Sequence, residues 1–592
     1  MKDIKKEIVN SLREILKEEI SGDVEIEISR PQDFSHGDYS TNVALTIFHK
    51  FKEKFKNPVD LASFITNKLQ KKLPETDKIE VLKPGFINFF LSEKYLLQKI
   101  DQIASSKNYG KGDSLKSKKI MLEFADPNPF KEFHIGHLRN ITLGECFARL
   151  LEYQGADLWR VNYQGDVGLH VARALYGLLQ ISNLKSQISN LQKKPIGERS
   201  KFLGDAYARG AKDYEESDKA KKEIQEINLK IYRHQDPNLN KLWEEGRGWS
   251  LDHFEDIYKR LGTKYKRYYF ESEVAEPGKE IVLSHLRGGT FERHEGAVVF
   301  RGDHTRVFIT KEDYATYEAK DLALAKIKFE DFKYDKSIII TANEQIEYFK
   351  VVLEAMKKVF PELAKKTIHE SFGFVNLKEG KMSSRSGSVV TGEWLMSEAK
   401  KRLKTQFEKM DEETLEKVAV GAVKYSMLKF SRTSDILFSF DESISLEGNS
   451  GPYLQYTYAR TQSVLAKVKR QKSKVKIKIP TSAKASAGRQ NPKLEKEELL
   501  VLRLLIHFSE ITREAGENFA PNTLCNYLFD LSQKFNNFYQ KVPILNPEVS
   551  IGNHPRGGRE GVRNFRLGLT FAVGQIIKTG LYLLGIKSPN KM

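Results

Sequence analysis

Two histidines with a glycine between them stand at residues 134–137, which read His-Ile-Gly-His. An apolar stretch and a turn containing Pro and Asn precede them, and a helical pattern follows, so both imidazoles are predicted at a helix N-terminus. Backbone N–H groups at such an end attract anions, and the glycine lets a nucleotide approach the backbone. The pattern also fits ordinary surface histidines, but the preceding strand and turn favour His134, Gly136 and His137 as phosphate contacts.

A Gly/Ser-rich segment at 380–387 carries two cations, Lys381 and Arg385. A loop of this kind can close over a triphosphate and neutralise the charge that develops when pyrophosphate leaves. In isolation the segment is more typical of an ordinary basic loop. Its combination with residues 134–137 is what makes the pattern specific, and the pair predicts a site for a nucleoside triphosphate.

The net charge points to a polyanionic partner. The chain has 592 residues, of which 97 are Lys or Arg and 79 are Asp or Glu, leaving +18. An excess of this size suggests a nucleic acid most simply. Ten basic residues and no acid lie in the segment 467–493, called the basic segment below. This segment is either a solvated linker or an arm that contacts phosphates.

Cysteine content and hydropathy exclude several classes of protein. Cys146 and Cys525 are too few and too distant in sequence for a disulfide framework or a thiolate zinc cluster. We therefore expect a cytoplasmic protein without protein-bound zinc. No run of 18 apolar residues occurs, so we expect no membrane partner.

Hydrophobic periodicity predicts a small α+β domain over residues 1–105. Apolar residues recur at helical spacing in two stretches, and two others alternate or run together as in strands. The helices are predicted at 4–20 and 61–73, and the strands at 24–28, an edge strand, and 86–91.

Strands alternate with helices over 106–375, as in a parallel α/β sheet, with a polar helical insertion at about 180–250. Residues 376–435 hold the Gly/Ser loop and connecting helices, and 436–592 are predicted to be helical. The strands of the sheet are predicted at 120–124, 158–162, 307–310 and 338–341.

Residues 134–137 and 380–387 resemble the HIGH and KMSKS signatures of class I aminoacyl-tRNA synthetases. Other segments resemble the arginyl-tRNA synthetases in particular: 125–131, 317–323, 343–345, 451–456 with 459–460, 37–39 and 84–89. The resemblance runs from about residue 5 to Met592, apart from 180–250 and the basic segment. It implies an α/β multidomain fold with a Rossmann-type parallel-sheet catalytic domain, an N-terminal α+β domain and a C-terminal all-helical anticodon-binding domain.

The same resemblance implies an arginine–tRNA ligase. Such an enzyme activates L-arginine with ATP, as its Mg²⁺ complex, to arginyl-adenylate, and transfers the arginyl group to the 3′-terminal adenosine of tRNA-Arg. Members of the family generally need bound tRNA before they form the adenylate. We expect a monomer whose partners are tRNA-Arg, L-arginine and ATP.

The resemblance also implies roles for individual residues. The expected catalytic residues are Lys131, His134, His137 and Lys381. The expected ATP contacts are His134, Gly136, His137, Lys381, Met382, Ser383 and Arg385. The expected arginine contacts are Glu123, Asn128, His134, Glu271, Tyr317, Asp321 and Gln345. The expected tRNA contacts are Tyr453, Arg460, Tyr539 and Met592. By the resemblance, Asp321 and Glu271 would hold the guanidinium, with Tyr317 beside them, and a guanidinium does prefer planar carboxylate partners. No resident metal ligand is expected.

Two departures from the family pattern leave roles open. Residues 162–170 read Asn-Tyr-Gln-Gly-Asp-Val-Gly-Leu-His where relatives carry an Asn-Asp-Trp-Gly-like stretch. Ser384 stands at the second lysine of KMSKS, so one cation expected over the phosphates is missing. Lys131, three positions before the first signature, is the expected replacement, and Arg385 is the competing one.

Three other functions fit part of the pattern. A class I synthetase for another amino acid would need a different pocket: zinc with cysteine ligands for cysteine, or a site for a compact ammonium for lysine. A binding protein descended from a synthetase would keep tRNA contacts without catalysis. A bare nucleotidyltransferase would leave the helical third of the chain unexplained.

Overall fold

The computed structural model of the chain describes residues 3–19, 24–106, 108–378, 390–471, 494–546 and 558–592. The chain divides into two compact units, one made of 1–109, 460–509 and 530–577 and the other of 110–459, 510–529 and 578–592. Within the described ranges, no helix combines the length and apolar character that a transmembrane segment needs.

The helices are α1 (Ile4–Lys17), α2 (Val43–Ile47), α3 (Pro58–Leu69), α4 (Glu93–Ser105), α5 (Ile135–Tyr153), α6 (Leu169–Leu179), α7 (Leu184–Leu191), α8 (Ile196–Glu216), α9 (Asp218–Tyr232), α10 (Pro237–Leu261), α11 (Glu271–Ser284), α12 (Tyr317–Phe332), α13 (Ile346–Val359), α14 (Pro361–Lys366), α15 (Gly392–Gln406), α16 (Glu412–Leu428), α17 (Phe440–Ile444), α18 (Gly451–Gln471), α19 (Lys496–Leu505), α20 (Phe508–Glu517), α21 (Pro521–Lys541) and α22 (Gly558–Leu583). The strands are β1 (Tyr39–Thr41), β2 (Thr76–Leu82), β3 (Phe86–Leu91), β4 (Lys119–Glu123), β5 (Asp157–Gln164), β6 (Arg267–Phe270), β7 (Glu292–His294), β8 (Ala297–Arg301), β9 (Thr305–Ile309), β10 (Lys336–Ala342), β11 (Thr367–Phe372), β12 (Val375–Leu377) and β13 (Ile436–Phe438).

The first unit opens with an antiparallel sheet in the order β1-β3-β2, with α1 to α4 in the same stretch of chain. Helix α1 buries Ile8, Leu12 and Leu16, four residues apart on one face. The side chain of Asn57 caps α3 by accepting from two backbone N–H groups. The α+β character predicted for this stretch is confirmed.

The edge strand predicted over 24–28 is wrong, since this stretch forms no strand. Ser29 makes a single antiparallel bridge to Ser40, and the Thr41 hydroxyl donates to the carbonyl of Glu27 at 2.7 Å. Strand β1 is only three residues long, so it offers no longer ladder to a neighbour. The segment 24–28, in which acids alternate with apolar residues, therefore lies beside β1 without forming a strand of the sheet.

The second unit is built on a parallel sheet in the order β11-β10-β4-β5-β6. Strand β4 is central, and its residues Ile120, Met121 and Leu122 are buried, as expected for a strand covered on both faces. Helix α5 follows β4 and leads to β5, the crossover arrangement of a parallel α/β sheet. The Rossmann-type parallel sheet predicted from the sequence is confirmed.

One strand predicted for the parallel sheet belongs to another sheet, and two strands of the parallel sheet were missed. The stretch 307–310 falls on β9, which pairs antiparallel with β8 in a separate sheet, β7-β8-β9. A short apolar run such as 307–310 cannot distinguish a parallel from an antiparallel partner. The missed strands, β6 and β11, form the two edges of the parallel sheet. Their side chains are partly exposed there, so both sequences mix polar and apolar residues, Arg-Tyr-Tyr-Phe and Thr-Ile-His-Glu-Ser-Phe.

The polar insertion is helical, with α7 to α10 packed on α6 around buried apolar side chains. Two glycines allow α6 and α8 to lie very close. A Cβ on Gly177 would stand 2.0 Å from the Ala206 carbonyl oxygen, and one on Gly210 would stand 1.9 Å from that of Arg173. The described residues of 436–592 are mainly helical, from α17 to α22, as predicted, apart from β13, which pairs with β12.

Arg139 of α5 joins this helix to two later segments. Its guanidinium is fully buried and donates to four carbonyl oxygens, those of Gly373, Phe374, Arg432 and Ser434, at 2.5–2.9 Å. Burial lowers the pKa of Arg139 to about 10, so it remains charged at neutral pH. The segment before 379 is thereby fixed to the helix that begins at 135.

Replacing Arg139 by Met should destabilise the protein by about 3–5 kcal/mol, because four buried carbonyls lose their donor. We expect a clearly lower unfolding temperature in a thermal scan. Arg287→Met is the matched control, since Arg287 is exposed in the same unit, and it should unfold like the wild type. Equal unfolding temperatures for the Arg139 variant and this control would contradict the role given to Arg139.

Candidate active site

The turn between β4 and α5 has an unusual backbone. Ala125, Asp126 and Phe130 all adopt positive φ angles, of 79°, 46° and 66°. Such conformations cost free energy in residues other than glycine and persist where surrounding contacts enforce them. Here the Asp126 carboxylate accepts from the Tyr163 N–H at 2.8 Å, and the Phe130 N–H donates to the Ser250 hydroxyl at 3.0 Å.

His134 and His137 form a reciprocal cap at the start of α5. Nδ1 of His134 accepts from the N–H groups of Gly136 and His137 at 3.1 and 3.3 Å, and Nδ1 of His137 accepts from the His134 N–H at 3.3 Å. The two rings stack with their centres 3.6 Å apart.

The protonation of these imidazoles follows from their surroundings. Burial lowers the pKa of His134 and holds that of His137 well below its usual range, and the charge of Lys131 adds to the effect at both rings. Both rings are therefore neutral at pH 7. Because each Nδ1 accepts a backbone N–H, the proton of each neutral ring is on Nε2. The pair thus offers two Nε2–H donors beside the N-terminus of α5, as phosphate binding requires.

Lys131 lies close to this pair. Its N–H donates to the Asn128 carbonyl at 3.2 Å, and its ammonium is 5.4 Å from the centre of the Tyr207 ring on α8. The charge of Lys131 contributes to the lowered pKa of both histidines and opposes the raised pKa of Glu271. The lysine is therefore near both the histidines and the acidic residues expected to bind arginine.

The Gly/Ser loop lies outside the described residues, and with it Lys381, Met382, Ser383 and Arg385. The chain that follows it is held at the start of α5. The N–H of Ile135 donates to the Val390 carbonyl at 3.0 Å, and that of Gly392 donates to the Phe133 carbonyl at 2.9 Å. Residues 390–392 therefore lie beside the histidine pair.

Glu271 stands at the N-terminus of α11 and is buried. Its Oε1 and the Asn128 Oδ1 flank Gly165, where an added Cβ would be 2.7 Å from each oxygen. Its Oε2 accepts from the Lys320 ammonium at 2.6 Å. Asn128 accepts from the Gly165 N–H at 3.0 Å, which fixes its amide so that Nδ2 is left to donate to another group.

Asp321 is on α12, one turn after Tyr317, and accepts from the Tyr348 hydroxyl at 2.7 Å. Burial raises the pKa of Asp321 to about 7; the Tyr348 hydrogen bond opposes this and the charge of Glu123 adds to it. Glu123, at the end of β4, forms a buried ion pair with Lys328 at 2.7 Å. Asp321 forms no ion pair within the described ranges.

Tyr163 shows that the three carboxyl groups lie close together. Its hydroxyl is buried and finds no hydrogen-bond partner among the described residues. Burial first, and then the charges of Glu271, Asp321 and Glu123, hold the pKa of Tyr163 well above its usual value. Of the remaining expected arginine contacts, Tyr317 is about half exposed at 54%, and Gln345 is partly exposed after β10.

Residues 162–170, to which the sequence assigned no role, pack beside Glu271 and help to hold it in place. The buried Asp166 carboxylate accepts from the N–H and hydroxyl of Ser272 at 2.9 and 2.7 Å and lies 3.1 Å from the Arg247 guanidinium. Nε2 of His170 is 2.8 Å from the Gly165 carbonyl oxygen. These bonds hold the segment against the start of α11, next to Glu271.

Sequence reasoning missed the partners of the acidic residues. Lys320 and Lys328 are buried on α12 together with Leu324, at spacings of four residues, so helical periodicity could have predicted that both lysines face inward. Tyr232 belongs to the insertion, where the sequence motifs indicated no resemblance to the family. Nothing in its surrounding sequence indicated that its hydroxyl accepts from Lys320 at 2.9 Å.

The expected tRNA contacts are on the helical part and at the end of the chain. Within the first unit, the Arg460 guanidinium lies 4.8 Å from the centre of the Tyr539 ring and donates to Asn536 at 2.6 Å. Within the second unit, the Tyr453 ring packs on Phe529, 5.7 Å between centres, and Met592 ends the chain. Tyr539 is 37% exposed, so its ring is available to a partner.

Three family models match the chain. The model described as tRNA synthetases class I (R), catalytic domain, covers residues 99–440. The DALR anticodon binding domain covers 454–592, and the arginyl tRNA synthetase N terminal domain covers 2–91.

Curated proteins and solved structures agree with these matches. The arginine–tRNA ligase of Bacteroides thetaiotaomicron is 30% identical over 587 residues, 94% of each chain. That of Treponema denticola is 32% identical over 546 residues, 88% of this chain and 89% of the other. The arginyl-tRNA synthetases of Thermus thermophilus and Plasmodium falciparum share the fold, with TM-scores of 0.77 and 0.76, identities of 24% and 22%, and coverage of 100% of this chain and 100% and 98% of theirs.

Proposed function

The chain belongs to the arginyl-tRNA synthetase family of class I aminoacyl-tRNA synthetases, and from this premise we propose how its residues divide the work. Its activity is arginine–tRNA ligation with ATP. The observation that carries our assignment of the site is the pair of stacked imidazoles whose Nδ1 atoms both accept backbone N–H groups at the start of α5, which leaves both Nε2 atoms for a ligand.

In the first step a carboxylate oxygen of arginine attacks the α-phosphorus of ATP, and pyrophosphate leaves. His134 and His137 donate to phosphate oxygens, and Gly136 lets the nucleotide approach the N-terminus of α5. Lys131 and Lys381 neutralise negative charge on the phosphates, with ATP bound as its Mg²⁺ complex. No protein nucleophile is needed, because the contribution of the protein is positioning and electrostatic stabilisation.

The acidic residues of the second unit bind arginine. Asp321 carries the negative charge that meets the guanidinium, with Tyr317 beside it on the same face of α12. Glu271, the other carboxylate expected to hold the guanidinium, is already paired with Lys320. Asn128, whose Nδ2 is left to donate, acts together with Gln345 and Glu123 at the amino-acid end. In the second step a hydroxyl of the 3′-terminal ribose of tRNA-Arg attacks the arginyl carbonyl, and AMP leaves.

For the tRNA we propose contacts at Tyr453, Arg460, Tyr539 and Met592. An exposed aromatic face such as that of Tyr539 can stack an unpaired base, and the adjacent Arg460 can reach a phosphate. We further propose that the protein acts as a monomer in the cytoplasm. The two free, buried cysteines are consistent with a reducing compartment.

We expect arginine activation to require tRNA. Exchange of labelled pyrophosphate into ATP, measured with arginine alone, should stay near background, and adding tRNA-Arg should raise it by about tenfold or more. An unrelated tRNA with the same concentration of phosphate groups is the control and should not restore exchange. Full exchange without tRNA would contradict the requirement while leaving the ligase activity itself intact.

A further inference from the structure

Lys320 occupies a complete binding site for an ammonium group. Its Nζ donates to the Glu271 Oε2 at 2.6 Å and to the Tyr232 hydroxyl at 2.9 Å. It also lies 5.3 Å from the centre of the Tyr232 ring and 5.2 Å from that of Tyr317. The residue is only 3% exposed. A carboxylate, a hydroxyl and two aromatic rings are what a desolvated ammonium needs.

The charge state of Lys320 supports this description. Burial alone would lower the pKa of Lys320, but the charge of Glu271 and the bonds to Glu271 and Tyr232 raise it above its usual value. The side chain is therefore a buried cation, and the Lys320–Glu271 pair is neutral as a whole.

This ammonium site is part of the arginine pocket proposed above. Glu271 and Tyr317 are both expected arginine contacts, and Asp321 follows Lys320 directly on α12. With Glu271 paired to Lys320 and Glu123 paired to Lys328, Asp321 is the one of these three carboxyls that forms no ion pair within the described ranges. Asp321 is therefore the carboxyl of the three that is left to meet a cationic ligand.

Lysine and arginine differ in how they could use the pocket. A lysine side chain ends in a compact ammonium on a four-carbon stem, the same group that Lys320 already places on Glu271. A second ammonium at this carboxylate would face the first across a few ångströms with little solvent to screen it. A guanidinium spreads its charge over a plane and can donate to Asp321 without entering the occupied site.

We propose that Lys320 is a specificity-determining residue that excludes lysine by filling the ammonium site at Glu271. This inference rests on the proposed arginine pocket. Lys320 acts by occupying the site: the contact with Glu271 that the ammonium of a lysine substrate would need is already made by the Lys320 ammonium. Arginine is accepted because its partner, Asp321, lies outside that contact.

The test compares activation of L-arginine and L-lysine by pyrophosphate exchange with saturating tRNA. Lys320→Met keeps a similar length of side chain but vacates the ammonium site. We expect the ratio of kcat/KM for arginine to kcat/KM for lysine to fall at least about tenfold, the scale of one charge-assisted hydrogen bond. The inhibition constant of lysine against arginine should fall with it. Lys326→Met, an exposed position on the same helix, should leave both quantities unchanged.

A double variant separates occupancy from general damage. Glu271→Gln combined with Lys320→Met removes both buried charges, so the carboxylate that would attract lysine is gone and the gain in lysine activation should disappear. Should the single Met variant fail to fold, Lys320→Gln removes the buried charge but retains an amide donor for Glu271, so the ratio should still fall, by less than the Met variant is expected to show.

An unchanged ratio in the single variants, or a gain for lysine that persists in the double variant, would overturn the proposal. Parallel losses for both amino acids would assign Lys320 a structural role and overturn it equally. The proposed function fails in a different way, since it predicts that the unaltered protein charges arginine whatever these variants do.

Discussion

Asp321→Asn should raise the KM for arginine about 30- to 1,000-fold while changing the KM for ATP little. Asn keeps the volume of the side chain and a partner for the Tyr348 hydroxyl, but it removes the charge that meets the guanidinium. Losing one charged partner in a partly buried site costs ~2–4 kcal/mol, which gives this range. Steady-state aminoacylation at varied arginine measures it.

The pH dependence provides an independent check on Asp321. Because burial raises the pKa of Asp321 to about 7, the carboxylate is lost as pH falls through 7, and arginine affinity should fall with it. Each pH unit below the pKa should cost up to about tenfold in affinity. The Asn variant should lack this dependence.

Asp331→Asn is the matched control, since Asp331 is at the far end of α12 and bonds to Tyr269 and Arg267. It should leave the arginine requirement unchanged. If Asp321→Asn altered the KM values for ATP and arginine equally, Asp321 would not be the guanidinium partner.

Lys131→Ala should slow adenylate formation by about 100-fold or more with little change in arginine binding. Ser384 leaves the second KMSKS position without a cation, and Lys131 lies beside the histidine pair, whose pKa values its charge already lowers. A cation that contacts the phosphates as pyrophosphate leaves stabilises the transition state more than the bound substrates. Single-turnover activation with tRNA present measures the rate.

The control for Lys131 is Lys201→Ala, an exposed lysine on the neighbouring helix α8, which should react at the wild-type rate. Ser384→Lys added to Lys131→Ala should recover part of the lost rate if the two positions supply the same charge. Normal activation by Lys131→Ala together with its loss in Arg385→Ala would transfer the role to Arg385.

Hydrophobic patterns in the sequence predicted those strands whose apolar side chains are buried in the core. Strand β3 was predicted with its observed limits because 86–91 is an apolar run bounded by Pro-Gly. The same reasoning failed for 307–310, since pairing partners are fixed by contacts between distant segments. It also failed at β6 and β11, whose position at the edges of the sheet relaxes the need for apolar residues.

The residues of the site could be predicted from the sequence, but the ion pairs and hydrogen bonds among them could not. Tyr317 and Asp321 were expected one turn apart at the start of a helix, and α12 begins at Tyr317. The partners of the acidic residues could not be read from spacing, because Lys320, Tyr232 and Glu271 come from three different helices. Such a cluster is defined only after the helices pack.

Charging of total tRNA by the purified protein with each of the twenty amino acids tests the central claim most directly. With ATP, Mg²⁺ and tRNA present, arginine should be attached to tRNA, and the other nineteen amino acids should remain at background. Attachment of a different amino acid in preference to arginine, or no attachment of arginine by folded protein, would contradict the account.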